Sequence, residues 1–263
     1  MNGPGRWSDL GARIGSAVVM AGVGLLAMVL GGAVFHLLVA LVCGAMVWEL
    51  VRMLAPDNSS RQVQLGLLAA GAVLAAVYLP GMFVLPVLLA PALVAAGQVR
   101  RRHATAAAFV AFILLAGYEM TALRDAYGFG WLLWLVLVVM ASDVAGYFAG
   151  RRFGGPKFWP RVSPKKTWSG TVAGWAGAAL VGLAFAMGRD GGMALVGFSV
   201  LTALAAQMGD IAESAVKRMV GVKDSSALIP GHGGLLDRFD GMLGASVFVL
   251  LVAATTGLPF GAM

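Results

Sequence analysis

Nine stretches of this chain are apolar and long enough to cross a bilayer as helices: 14–32, 34–52, 63–80, 82–99, 104–123, 130–150, 170–188, 192–212 and 241–259. A crossing takes about 17–25 predominantly apolar residues. Two-residue turns, Gly31-Gly32 and Pro80-Gly81, are all that separate some neighbours, whereas 151–169 and 210–240 are long polar interruptions. The pattern predicts an all-α fold, a polytopic integral membrane helical bundle with about nine transmembrane helices. Arg6 and Arg13 ahead of the first stretch also suit a signal peptide. The apolar run continues without a small-x-small cleavage site, which favours a span.

Composition agrees with that picture. Of the 263 residues 60% are hydrophobic and 12% charged, against about 45–50% and 25% in soluble domains. The single cysteine, Cys43, lies inside an apolar run, so disulfides play no part. The net charge of +7 fits a positive-inside bias with anionic lipid or nucleotide as partner, rather than nucleic acid. With the N-terminus in the cytoplasm, nine spans place 17 of the 19 Lys and Arg on one side, leaving Arg124 and Arg189 on the other. One mistaken span would reverse every later loop, so the split supports the count. Both long polar segments then share the cytoplasmic face, where they can build a polar site.

The first five spans read as Leu/Ala/Val/Gly helices whose small residues permit close packing in lipid. His36 and His103 have no partners at metal-ligand spacing, and Arg100-Arg101-Arg102-His103 reads as a topology anchor touching anionic head groups. Glu49 reads as interfacial. Glu119 is an acid within a span with no partner named by the sequence, and it is left outside the site.

Chemistry-bearing residues gather in the second half. Asp143 lies about two turns inside the end of the sixth span, where a bare charge is costly unless a cation, a metal or water compensates; a structural pair with Arg151 or Arg152 is the plain alternative. Ser163-Pro164-Lys165-Lys166-Thr167 precedes the seventh span, and two lysines plus a hydroxyl at a helix start suit a polyphosphate, although a lysine pair there also serves as an anchor. If the helix starting near Met193 runs on through Asp210, then 100° per residue puts Asp210, Ser214 and Lys217 within about 60° of one another, with Glu213 and Arg218 on the flanks. Pro230-Gly231-His232-Gly233-Gly234 suits a tight turn that aims N–H groups at an anion. Asp237, Arg238 and Asp240 follow at the start of the next helix. An ordinary solvated loop would also be charged, but order and spacing add to the reading.

The run Ser214, Lys217, Arg218, Lys223, Asp224, Pro230, His232, Gly233, Gly234, Asp237, Arg238, Asp240 resembles the signature of the phosphatidate cytidylyltransferase (CDP-diacylglycerol synthase) family. That signature is Ser-x-x-Lys-Arg-x4-Lys-Asp, then Pro-x-His-Gly-Gly-x-x-Asp-Arg-x-Asp. About a dozen fixed positions make a specific match. Residues 142–152 are similar to the family's Ser-Asp-x-x-Ala-Tyr-x-x-Gly-Arg element with Gly146 in place of alanine. Residues 163–170 follow Ser-Pro-Lys-Lys-Thr-x-Glu-Gly with Ser169 in place of glutamate.

The resemblance implies an enzyme that transfers a cytidylyl group from CTP to phosphatidate, forming CDP-diacylglycerol and pyrophosphate, with Mg²⁺ as cofactor. It divides the chain into a lipid-facing scaffold, 1–130, and a catalytic region, 131–263, with cytoplasmic loops 151–169 and 210–240. Asp210 and Asp237 are the first-choice metal ligands, and Asp143, Asp224 and Asp240 the second. Lys165, Lys166, Thr167, Gly233 and Gly234 would bind nucleotide phosphates. Ser214, Lys217, Arg218, Lys223, His232 and Arg238 form the expected catalytic set, in which His232 is structural or a phosphate donor and Lys223 and Arg238 hold phosphates or balance the acids. Expected partners are phosphatidate, CTP and the bilayer, with a homodimer allowed and no nucleic acid. The expected location is a bacterial inner membrane with the active site facing the cytoplasm. Two other readings stand beside this: a CTP-dependent transferase acting on another lipid, and an anion transporter, whose usual internal repeats are missing here.

Overall fold

A computed structural model describes residues 5–188, 192–256 and 258. Among the described residues nine helices are long and apolar enough to cross a membrane, and the structure is 83% helical. Helices satisfy every backbone group within the segment, which is what hydrocarbon demands. The protein is a polytopic helical membrane protein. The chain forms two compact units, Met1–Asp125 with Val220–Phe239 and Ala126–Met219 with Asp240–Met263.

In the first unit, α1 (Gly5–Leu30), α2 (Gly32–Leu54), α3 (Ser59–Tyr78), α4 (Gly81–Gln98) and α5 (His103–Tyr127) follow one another through short turns. Gly31, at φ 62°, makes the α1–α2 turn, and a Cβ there would meet the Arg124 guanidinium at 2.7 Å. That guanidinium caps α1: Nε donates to the Met28 carbonyl at 2.7 Å and Nη2 to the Val29 carbonyl at 3.2 Å, a cation at the negative end of a helix. His36, which has no metal-ligand spacing in sequence, bonds instead to Tyr78 Oη (3.0 Å) and Asp125 Oδ2 (2.8 Å), pinning α2 to α3 and α5. Gly44 and Gly66 bring the α2 and α3 backbones together, a Cβ on Gly44 lying 2.7 Å from the Gly66 carbonyl oxygen. Val18, Val19 and Leu26 of α1 are exposed, as residues covered by lipid are.

The second unit holds α6 (Phe129–Phe153), a two-stranded antiparallel hairpin of β1 (Lys157–Trp159) and β2 (Ser163–Thr167), α7 (Trp168–Gly188), α8 (Ala194–Val220) and most of α9 (Leu236–Thr255). Small residues set its closest approaches. Cβ atoms on Gly174 and Gly177 of α7 would each come 2.9 Å from an α6 carbonyl oxygen, of Ser142 and Ala141, and one on Gly209 would come 3.0 Å from Gly244 Cα. Small-residue faces let helices approach where lipid supplies no hydrophobic drive. Trp134 stacks on Phe198 with centroids 5.5 Å apart and donates Nε1–H to Ser199 Oγ at 2.9 Å.

Two boundaries differ from the sequence reading. Helix α8 runs on to Val220, so the non-helical chain before α9 is 221–235 and not the whole of 210–240. Val220–Phe239 also groups with the first unit, not with the C-terminal region 131–263, because buried hydrogen bonds to α2 hold it there.

Candidate active site

The second unit places a cavity of about 410 Å³ where α6, the hairpin, α7 and α8 meet, its surface mostly apolar but entered by several charged and polar side chains. Asp143 enters it from α6, Lys165, Lys166 and Thr167 from β2, and Gln207 and Asp210 from α8. Gly146, Gly150 and Gly170 make the intervening wall, keeping it low between the charged groups. Lys166 Nζ lies 2.5 Å from Asp210 Oδ2 and donates to the Gln207 carbonyl at 3.3 Å. Their side chains are 25% and 30% exposed, so the pair is within reach of a ligand. Ser214, one turn on, donates to Asp210 Oδ1 at 3.2 Å.

A second layer holds these groups in place. The Gln207 amide donates to Ser142 Oγ and the Thr171 carbonyl, both at 3.3 Å, and accepts from Trp175 Nε1 at 3.1 Å. Thr167 Oγ1 accepts the Gly170 N–H at 3.2 Å, an N-cap bond to the third residue of α7. The expected phosphate-binding hydroxyl is thus engaged in capping, with Ser169 Oγ at 3.0 Å. Ser169 in turn donates to the Gly154 carbonyl at 2.5 Å, fastening the hairpin entry. Asp143 pairs with neither Arg151 nor Arg152; Arg151 donates to Tyr147 Oη at 3.0 Å.

The charges of Asp143, Asp210 and Asp240 act on one another and on Lys166 and Lys217. Asp240 Oδ1 accepts the Gly241 N–H at 2.7 Å. Lys217 is held by Glu213, one turn before it and 1% exposed, while Arg218 is exposed. Among the described residues no group of three or more His, Cys, Asp or Glu is placed to hold a metal ion alone. Mg²⁺ asks for less, since it commonly takes one or two carboxylates and fills its octahedron with water and substrate phosphate oxygens. The donor chemistry of Asp143 and Asp210 fits that requirement.

The remaining signature residues lie in the first unit and build a loop. Glu49 of α2, fully buried, accepts from Ser226 Oγ (2.6 Å), Ser225 Oγ (3.2 Å) and the N–H groups of Leu235 (2.9 Å) and Leu236 (2.7 Å). Asp237 Oδ2 accepts from Ser225 N at 2.9 Å and from Gly234 N at 2.8 Å, and shares the one Ser225 hydroxyl proton with Glu49, with Oγ at 2.9 Å. A Cβ on Gly234 would come 2.6 Å from Glu49 Oε1. The Ile229 and Gly233 backbones bridge a tight turn in which Gly231 and Gly233 sit at φ 74° and 83°. His232 Nδ1 meets Ser16 Oγ of α1 at 2.8 Å, and its carbonyl accepts Arg238 Nε at 2.9 Å. Lys223 and Asp224 are exposed.

The model of the cytidylyltransferase family matches residues 11–256. The chain belongs to the cytidylyltransferase family. Over 137 residues it is 44% identical to a phosphatidate cytidylyltransferase of Brucella suis, covering 51% of each chain. Over 125 residues it is 49% identical to one of Helicobacter pylori, 46% of each. Over 129 residues it is 41% identical to one of Mycobacterium bovis, 48% of this chain and 42% of that one. The chain spans about half the length of the curated relatives it matches.

The two carboxylates expected as metal ligands, Asp210 and Asp237, sit in different surroundings. Asp210 lines the cavity, whereas Asp237 spends its Oδ2 on backbone and hydroxyl donors of its own loop. Sequence reasoning passed over Glu49, Ser225, Gln207 and Ser16. The available signal for Glu49 was the general rule that an ionisable group inside a span has a job; its place near the span's end hid it.

Proposed function

We propose that this protein transfers a cytidylyl group from CTP to phosphatidate, forming CDP-diacylglycerol and pyrophosphate. The observation that carries the reading is the second-unit cavity, where Asp143, Asp210, Lys165 and Lys166 converge at the ends of membrane helices. Family membership and the names of the relatives point the same way.

In that reaction a phosphate oxygen of phosphatidate bonds to the α-phosphorus of CTP. The α–β bridging P–O bond breaks, and pyrophosphate leaves with the electron pair. Both reactants are anionic, so the barrier is dominated by repulsion and leaving-group charge, and positioned cations lower it. Lys165 and Lys166 neutralise the triphosphate. Asp210 holds Lys166 in the wall by its ion pair, and Ser214 holds Asp210. Mg²⁺ on Asp143 and Asp210 would supply Lewis-acid charge to the phosphate oxygens. The first-unit loop is then a scaffold, with Glu49 and Asp237 gripping its backbone. The setting is a bacterial inner membrane with the cavity open to the cytoplasm, where CTP is supplied.

Purified full chain in detergent is given labelled CTP, Mg²⁺ and phosphatidate, and chloroform-soluble label is counted. Label that needs both phosphatidate and Mg²⁺ supports the proposal. Label with a polyprenyl phosphate or lipid alcohol but none with phosphatidate, from folded protein, would sink it.

A further inference from the structure

The α2–α3 and α4–α5 connections of the first unit line an open cavity of about 920 Å³. None of the signature residues is in its wall. Its charged residues are Arg61, Arg100, Arg101 and Arg102 against one acid, Asp57. Among the described residues Arg61, Arg100 and Arg101 have no carboxylate at ion-pair distance, so their charge is not taken up by the protein's own acids.

The wall has a defined shape. Asn58 Oδ1 accepts the Arg61 N–H at 2.9 Å, capping α3. Buried Gln62 donates Nε2–H to the carbonyls of Ala55 and Pro56, both at 3.2 Å, fixing the α2–α3 turn. On the other side a single 3-10 turn, Arg100–Arg102, joins α4 to α5, with Arg102 N donating to the Val99 carbonyl at 3.3 Å. Next to the cations the surface turns apolar. On α4, Pro86, Ala90 and Leu93 share the helix face of the wall residue Gly97 and are exposed, Leu93 by 72%.

We infer that this cavity binds the phosphate of an anionic phospholipid, whose acyl chains run along the exposed apolar face of α4. A topology anchor needs only positive charge on one side of the membrane. This wall is concave and built from guanidinium groups, whose planar forks match pairs of phosphate oxygens where an ammonium offers a point charge. A soluble phosphate would use the cations and leave the apolar strip beside them idle. An amphiphile with an anionic head uses both. The inference is independent of the proposed reaction.

The test titrates the full chain in neutral detergent with phosphatidylglycerol and phosphatidylcholine, read by native mass spectrometry, with inorganic phosphate as competitor. Phosphatidylglycerol is expected to bind at least tenfold more tightly than phosphatidylcholine, without displacement by an equal concentration of phosphate. The variant R61Q/R100Q/R101Q should bind on the order of a hundredfold more weakly, about fivefold for each cation at an anionic surface. R61K/R100K/R101K keeps the charge and loses the forks, and should bind about tenfold more weakly. D57N, on an exposed residue, should bind about fivefold more tightly. An unchanged unfolding temperature in lipid-free detergent shows that the variants are folded. Native affinity in the lysine variant would overturn the site, since charge alone would then explain binding. Displacement by equimolar phosphate would overturn the lipid assignment.

Discussion

The second-unit cavity and the first-unit loop use carboxylates in opposite ways. Around the cavity, Asp143 and Asp210 are in contact with open space, and Asp210 faces side-chain partners, Lys166 and Ser214. In the loop, Glu49 and Asp237 face backbone N–H groups and serine hydroxyls. A carboxylate bonded to a side-chain ammonium can exchange it for a metal or reposition it around a phosphate, at the cost of moving one flexible chain. A carboxylate holding three or four backbone and hydroxyl donors cannot let go without unfolding a turn. Residue type alone does not separate a carboxylate that borders a cavity from one that frames a loop.

The comparison breaks most visibly at Asp210. Asp210→Asn removes the charge that holds Lys166 and a cavity carboxylate, and should lower CTP incorporation by about a hundred- to a thousandfold, the usual effect of losing one preorganised electrostatic group. Its unfolding temperature in detergent should stay near that of the native protein. Unfolding together with inactivity would mean that Asp210 is a frame residue like Asp237. Glu49→Gln should do the reverse. It leaves the N–H groups of Leu235 and Leu236 competing for one oxygen, and should destabilise by about 3 kcal/mol, from the cost of unsatisfied buried donors. A thermal-unfolding scan reads this, and an unshifted transition would remove Glu49 from the frame.

Gly234→Ala sharpens the same point with a single methyl group. Pushing a Cβ against the Glu49 carboxylate should cost about 1–3 kcal/mol by overpacking, visible as protease sensitivity in 221–235. Protection equal to that of the native chain would show that the loop yields. Thr167→Ala, at the edge of the cavity, should cost about 1 kcal/mol through loss of the α7 cap and change the KM for CTP less than twofold. A tenfold rise in KM at unchanged stability would return Thr167 to direct phosphate binding.

Much of this was legible in order along the chain. The spans follow from apolar length, and the placement of Asp210 with Ser214 on one face of α8 follows from helical periodicity, which the 3.2 Å bond between them matches. Lys217 shows the limit of that argument. Periodicity put it beside Asp210 and Ser214 with Glu213 on the flank, yet it is Glu213, four residues back, that holds it. Thr167 carries a hydroxyl suited to phosphate, and its place at the residue before α7 adds a capping bond that residue type alone does not announce.

By itself the sequence determined the membrane class, the helix count among the described residues and the residue types that chemistry would draw on, because hydropathy and i,i+4 geometry are local properties that survive in any packing. Tertiary structure alone decided which carboxylates face a cavity and which grip backbone. Glu49 reaches Leu236 across 187 positions, His36 reaches Asp125 across 89, and Lys166 reaches the Gln207 carbonyl across 41. No local pattern carries those distances; they exist only once helices whose glycines allow close approach have packed together.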